Sequence, residues 1–121
     1  MKRDWELIRK ILVELETLGD TKSYLFPDAV KPYDTQIVSY HIRILGEAGL
    51  IQVNHPRGLE VDEWVFIAER LTWQGHDLLD NIREQNMWNK VRRIIREKGI
   101  EISVEAIKLA AHMIVQQVFQ D

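Results

Sequence analysis

Fourteen consecutive residues, Val38-Ser39-Tyr40-His41-Ile42-Arg43-Ile44-Leu45-Gly46-Glu47-Ala48-Gly49-Leu50-Ile51, read as a helix that stops at a glycine and becomes a strand at once. Asp34 is the expected N-cap, because its carboxylate can accept from the first free N–H groups of a helix over residues 34–48. Tyr33 and Val38 stand at the two positions of a hydrophobic staple. At the far end Gly49 can adopt the left-handed conformation that closes a helix, with Leu50 folding back on Leu45. Val38, Ile42 and Leu45 form one apolar stripe, with Ile37, His41 and Ala48 on its margins. Ser39, Tyr40 and Arg43 lie off that stripe.

This stretch resembles the recognition helix of arsenic-repressor-type winged helices, which show Val-Ser-x-His-Leu-x-x-Leu-x-x-Ala-Gly-Leu-Ile/Val. Val38, Ser39, His41, Leu45, Ala48, Gly49, Leu50 and Ile51 match, with Ile42 in place of the leucine. Further on, Arg70-Leu71-Thr72-Trp73-Gln74-Gly75-His76-Asp77-Leu78-Leu79 is similar to the Leu-Thr-x-x-Gly-x-x-Leu-Leu segment where the last wing strand of many bacterial winged helices enters a further helix. From Met1 to Val91 the chain also resembles a bacterial and phage family known as a domain of unknown function with a winged-helix core. The resemblance implies a fold and carries no activity. In such a fold the helix over residues 34–48 would enter the DNA major groove.

The remaining segments are read from their own patterns. Trp5, Ile8, Ile11, Leu12 and Leu15 build one face of a first helix over residues 4–18, ended by Gly19-Asp20. Residues 21–33 depart from the repressor pattern, because Pro27 and Pro32 bar a long helix. The expectation there is an extended piece at 23–26 and at most one helical turn at 28–31. Residues 50–54 and 64–71 read as the two strands of a wing around the His55-Pro56-Arg57-Gly58 turn, with Trp64 and Phe66 pointing to one side. Thr72 caps a helix to about Arg83, and His76 is expected to pack under Trp73. A further helix runs from Met87 to Lys98, closed by Gly99, and Ser103 caps the last, Val104 to Phe119. In that last helix Ile107, Ala111, Ile114 and Val118 form a short heptad-like seam. The predicted fold class is mainly α with a small antiparallel sheet (α+β), a winged helix-turn-helix with extra C-terminal helices. Residues 1–72 would form the core, and residues 73–121 a helical extension packed on it as one globular unit.

Several function classes are excluded or disfavoured. With 121 residues and 45% hydrophobic content the chain supports one domain-sized core. There is no cysteine, so no disulfide or thiolate metal site. The four histidines, His41, His55, His76 and His112, show no metal-ligand spacing, and no metal or cofactor is expected. Glu6, Glu14 and Glu16 interrupt any signal-peptide core, and no apolar run approaches the ~20 residues of a membrane span. A cytoplasmic protein with no membrane association is expected. No nucleophile elbow, phosphate loop or glycine-rich cradle is present, so the chain does not read as an enzyme.

Two surfaces remain. The first comprises Thr35, Gln36, Ser39, Tyr40 and Arg43 on the helix, with Arg57 on the wing. Arginine pairs with guanine and glutamine with adenine at base edges, so this set reads as a face for double-stranded DNA. Its alternative is a solvated helix face. Beside Arg57 stand Glu60, Asp62 and Glu63, which repel phosphate. The second surface is the cluster Lys90, Arg92, Arg93, Arg96 and Lys98, either a basic patch or the polar side of an ordinary amphipathic helix. The leading expectation is a small DNA-binding regulator, a homodimer through its C-terminal helix. The net charge of −3 favours the other reading, a winged-helix protein-interaction module without DNA binding.

Overall fold

The computed structural model describes residues 1–56 and 64–120; Arg57, Glu60, Asp62 and Glu63 lie outside the described residues. The chain is mostly helical with a small two-stranded antiparallel sheet, and it forms two compact units, Met1–His76 and Asp77–Asp121.

In the first unit α1 spans Trp5–Glu16. Asp4 caps it, its Oδ1 accepting from the N–H groups of Glu6 at 3.0 Å and Leu7 at 3.2 Å. Leu7, Ile8, Ile11, Leu12 and Leu15 form its buried face. The helix stops before Gly19, and Asp20 then organises the exit. Its carboxylate accepts from the N–H groups of Lys22 and Ser23 and from the Ser23 hydroxyl, which holds its pKa below the ordinary value.

The proline-bearing segment is extended and then makes one tight turn. Leu25 exchanges both backbone hydrogen bonds with Ala68, at 2.8 and 3.0 Å, and Pro27–Ala29 make a single 3-10 turn that packs on the following helix. Leu25, Pro27 and Val30 are buried, so this short stretch is anchored through its apolar side chains.

That following helix, α2, spans Thr35–Glu47, with Asp34 accepting from the N–H groups of Gln36 and Ile37. Gly49 closes it with φ 74°, and the Leu50 N–H reaches back to the Leu45 carbonyl at 3.0 Å. Strand β1, Ile51–Asn54, starts at once and pairs with β2, Ile67–Leu71. The register shifts between Gln52 and Val53, opposite Glu69, so the hairpin carries a bulge. Strand β2 begins three residues later than the pattern of apolar residues suggests, because the Trp64 carbonyl accepts from the Ser39 hydroxyl and the Phe66 N–H donates to it instead.

Helix α3, Trp73–Ile82, begins where β2 ends. The Thr72 hydroxyl donates to the Gly49 carbonyl at 2.6 Å and accepts from the Gly75 N–H at 3.1 Å, tying the start of α3 to the end of α2. His76 and Trp73 are both exposed, Trp73 at 78%, so the expected packing of one under the other does not occur; both side chains leave the first turn on its solvent side.

The second unit continues α3 and adds α4, Gln85–Glu97, and α5, Val104–Phe119, which pack on each other. Glu84 and Ser103 cap the two helices, and Gly99, at φ 67°, ends α4. Trp88, Val91 and Ile95 are buried from α4; Ala106, Ile107, Ala110 and Ala111 from α5. The described residues contain no helix long and apolar enough to cross a membrane.

Gly75 offers a direct check of the α3 start. A Cβ built there would overlap the Leu50 carbonyl, which is backbone and cannot rotate away, whereas a Cβ at Gly19 meets nothing within 4 Å. Gly75→Ala is expected to lower stability by about 1–3 kcal/mol. Gly19→Ala should stay within about 0.5 kcal/mol of the parent. Urea unfolding of the two variants measures the difference.

Candidate functional site

Helix α2 turns two polar residues inward. Ser39 is 1% exposed and His41 is fully buried. The Ser39 hydroxyl donates to the Trp64 carbonyl at 2.5 Å and accepts from the Phe66 N–H at 2.9 Å. Ser39 therefore does not belong to a reading face, a correction to the expectation. A serine next to an apolar stripe looks solvated in sequence, but its partners lie 25 and 27 residues further on. His41 Nδ1 lies 2.8 Å from the Ile37 carbonyl, and its Nε2 accepts the Asp4 N–H at 2.8 Å. The Nδ1-protonated tautomer satisfies both bonds. Through His41 the start of α1 is fixed to the middle of α2. Nearby, burial and then the carboxylates of Asp4 and Glu6 push the Tyr33 phenol above its ordinary pKa.

The outward face of α2 carries Gln36, Arg43 and Glu47, all exposed, and Tyr40, half-buried. Thr35 is half-buried at the first helical position. Arg43 Nε lies 3.6 Å from Glu47 Oε1 with both side chains more than half exposed, so this pair restrains Arg43 only weakly. The Arg43 guanidinium also lies 5.3 Å from the centre of the Phe66 ring, and His55 stacks on Phe66 at 4.3 Å with the planes 18° apart.

These groups wall a cleft of about 610 Å³. Gln36, Tyr40 and Arg43 come from consecutive turns of α2, His55, Trp64 and Phe66 from the two sides of the hairpin connection, and Met1 also lines the cleft. Three of the predicted residues, Gln36, Tyr40 and Arg43, are thus brought together; Thr35 is not part of this cleft. Arg57 lies outside the described residues. His55, Trp64, Phe66 and Met1 were not assigned to the site from sequence. The signal for Trp64 and Phe66 was the i, i+2 spacing that sends both to one side.

The basic cluster is a separate feature of the second unit. Lys90, Arg92, Arg93 and Arg96 are exposed on α4. The Arg92 guanidinium sits 5.6 Å from the Trp88 ring centre, while Lys90 and Arg93 edge a groove of about 630 Å³ between α4 and α5. Its apolar lining includes Ile94, Met113, Ile114 and Val118. Among the described residues no three His, Asp or Glu side chains converge as metal ligands.

A mostly helical α+β chain with an aromatic cleft beside one helix and a basic helix in a second unit is the class these features define. By sequence the chain belongs to the family described as "Hypothetical protein (DUF2513)", whose model matches residues 2–101. A protein of Haemophilus influenzae, described as uncharacterised, is 43% identical over 117 residues, covering 97% of this chain and 98% of the relative. No solved structure matches the chain.

The role given to Ser39 can be measured. Ser39→Ala leaves the Phe66 N–H without its acceptor, and a loss of about 1–3 kcal/mol is expected in urea unfolding. A serine that only met solvent or ligand would show almost no loss on removal.

Proposed function

We propose that this chain is a small winged-helix DNA-binding regulator of bacterial or phage origin, acting in the cytoplasm by binding rather than by catalysis. The observation that carries the reading is the order of elements: α1, the single paired residue Leu25, the 3-10 turn, α2, and the β1–β2 hairpin. In a winged helix this order places α2 as the recognition helix. The solvent-accessible face of α2 bears Gln36 and Arg43, both exposed, with Tyr40 half-buried between them. On this reading Gln36 and Arg43 meet base edges in the major groove. The exposed basic side chains Lys2, Arg3 and Lys31 of the same unit supply phosphate contacts.

A second reading is favoured by a specific observation. Apolar surface is exposed in the same unit, Ile37 at 39% on α2 and Trp64 at 38% in the cleft with Tyr40, and the whole chain carries net charge −3. A protein-interaction module would use Tyr40 as its anchor.

Homodimerisation through α5 belongs to the proposal. Ile107 and Ala111, the first half of the expected seam, are buried within the chain, whereas Val118 is 68% and Phe119 82% exposed. Of the expected seam, only the second half is therefore left for a pairing surface, beside Leu109 and Val115, which are exposed at 65% and 44%.

Two measurements decide these points. In a mobility-shift assay at low salt, retardation of duplex DNA is expected, with log K falling by about 0.9 per phosphate contacted as log salt rises. Arg43→Ala should weaken binding to a preferred site by about 1–3 kcal/mol, and Arg92→Ala should act less and equally on all sequences. Absence of retardation rejects the DNA reading in favour of a protein partner. By light scattering a dimer is expected, and Val118→Glu should convert it to a folded monomer; a parent that is already monomeric removes the dimer.

A further inference from the structure

We infer that the cleft beside α2 receives one unstacked nucleobase of a single strand, an inference that rests on the nucleic-acid reading above and specifies what this site takes. In an intact duplex the faces of the bases are covered by their neighbours, and only their edges are offered in the grooves. An aromatic wall has nothing to stack on there. It does have a counterpart in a single strand, whose splayed bases stack on aromatic side chains and on guanidinium planes.

The cleft has the parts for that task. His55 on Phe66 already forms a pile of flat groups, with the Arg43 guanidinium 5.3 Å from the Phe66 ring centre. Trp64, 38% exposed, and Tyr40, half-buried, offer further ring surface within the same cleft. Gln36 brings a side-chain amide, one group that both donates and accepts, which suits the Watson–Crick edge of an inserted base. Arg43 supplies the charge for the adjoining phosphate. The volume of about 610 Å³ falls within the ~300–1,000 Å³ of small-molecule sites.

The wall is also held in place before anything binds. The Ser39 hydroxyl grips the backbone on both sides of Val65, at the Trp64 carbonyl and the Phe66 N–H. The backbone at residues 64 and 66 is thereby fixed against the very helix that presents Gln36, Tyr40 and Arg43. Little ordering is left for the ligand to supply at those two positions.

The test is fluorescence anisotropy at low salt with a short labelled DNA strand, the RNA strand of the same sequence, and the blunt DNA duplex. At least one single strand is expected to bind more tightly than the duplex, and which one does so identifies the source of the base. Trp64→Leu keeps an apolar side chain and removes the ring; it should weaken single-strand binding roughly ten-fold or more, with the duplex unaffected. Trp64→Phe should retain binding within a few-fold, and Tyr40→Leu, on the opposite wall, should repeat the loss. A duplex bound at least as tightly as both strands, or leucine variants that bind single strands like the parent, overturns the slot and leaves the DNA reading standing. Failure of all three nucleic acids to bind removes that reading and the slot together.

Discussion

The first unit depends on two polar side chains that α2 turns into the protein. A buried hydroxyl and a buried imidazole are costly unless every donor and acceptor is met. Here they are met: Ser39 by the backbone of Trp64 and Phe66, His41 by Ile37 and Asp4. No buried side-chain nitrogen or oxygen is left without a partner among the described residues. The apolar stripe of Val38, Ile42 and Leu45 gives α2 its burial, but burial is not directional. The two hydrogen-bonded side chains add direction. One fixes where α1 begins, and the other fixes where the chain returns toward β2.

Much of this framework was legible in the sequence because its determinants are local. Asp34, Gly49, Gly99, Thr72 and Ser103 each act within a few residues of themselves, and all five occupy the helix ends expected of them. The extended and tight-turn character of residues 23–30 followed from Pro27 and Pro32, although the turn starts one residue earlier than expected, at Pro27 itself. What was not legible is what depends on distant partners. Ser39 and Arg43 both lie off the apolar stripe, and periodicity alone gives them the same standing. Only the hairpin return separates them, drawing Ser39 inside and leaving Arg43 out. The same contact explains the shortened β2: Trp64 and Phe66 alternate like strand residues, but their backbone groups are engaged by a side chain. The cleft was missed for this reason. Its second wall exists only once Ser39 has placed it.

Net charge is a poor guide to either surface. The chain carries −3 overall, yet α4 concentrates Lys90, Arg92, Arg93 and Arg96 on its exposed side. On α2 the single arginine is countered by Glu47 four residues on, at a solvent-exposed separation of 3.6 Å that a phosphate could compete away. Arg43 is better described by its position above the Phe66 ring, where cation–π attraction orients the guanidinium without neutralising it. The electrostatics of the cleft itself are therefore those of one oriented charge beside aromatic rings.

The way α2 is held narrows what the first unit can do. Its supports include the start of α1 through His41, the hairpin return through Ser39, and strand β1 and the Pro27–Ala29 turn packed on it. A full helix in place of that turn would cover more of α2 and would itself rest on a duplex backbone in the usual helix-turn-helix arrangement. A turn of three residues keeps the support and gives up most of that contact surface. What α2 can offer a ligand is then the strip from Gln36 through Tyr40 to Arg43, opposite Trp64 and Phe66. The backbones on both sides of that strip are fixed by hydrogen bonds inside the unit. On the proposed reading, recognition there would rest on the shape and chemistry of a preformed cleft rather than on the area of a long docking surface, and its selectivity on what fits between one helix and one clamped pair of aromatic residues.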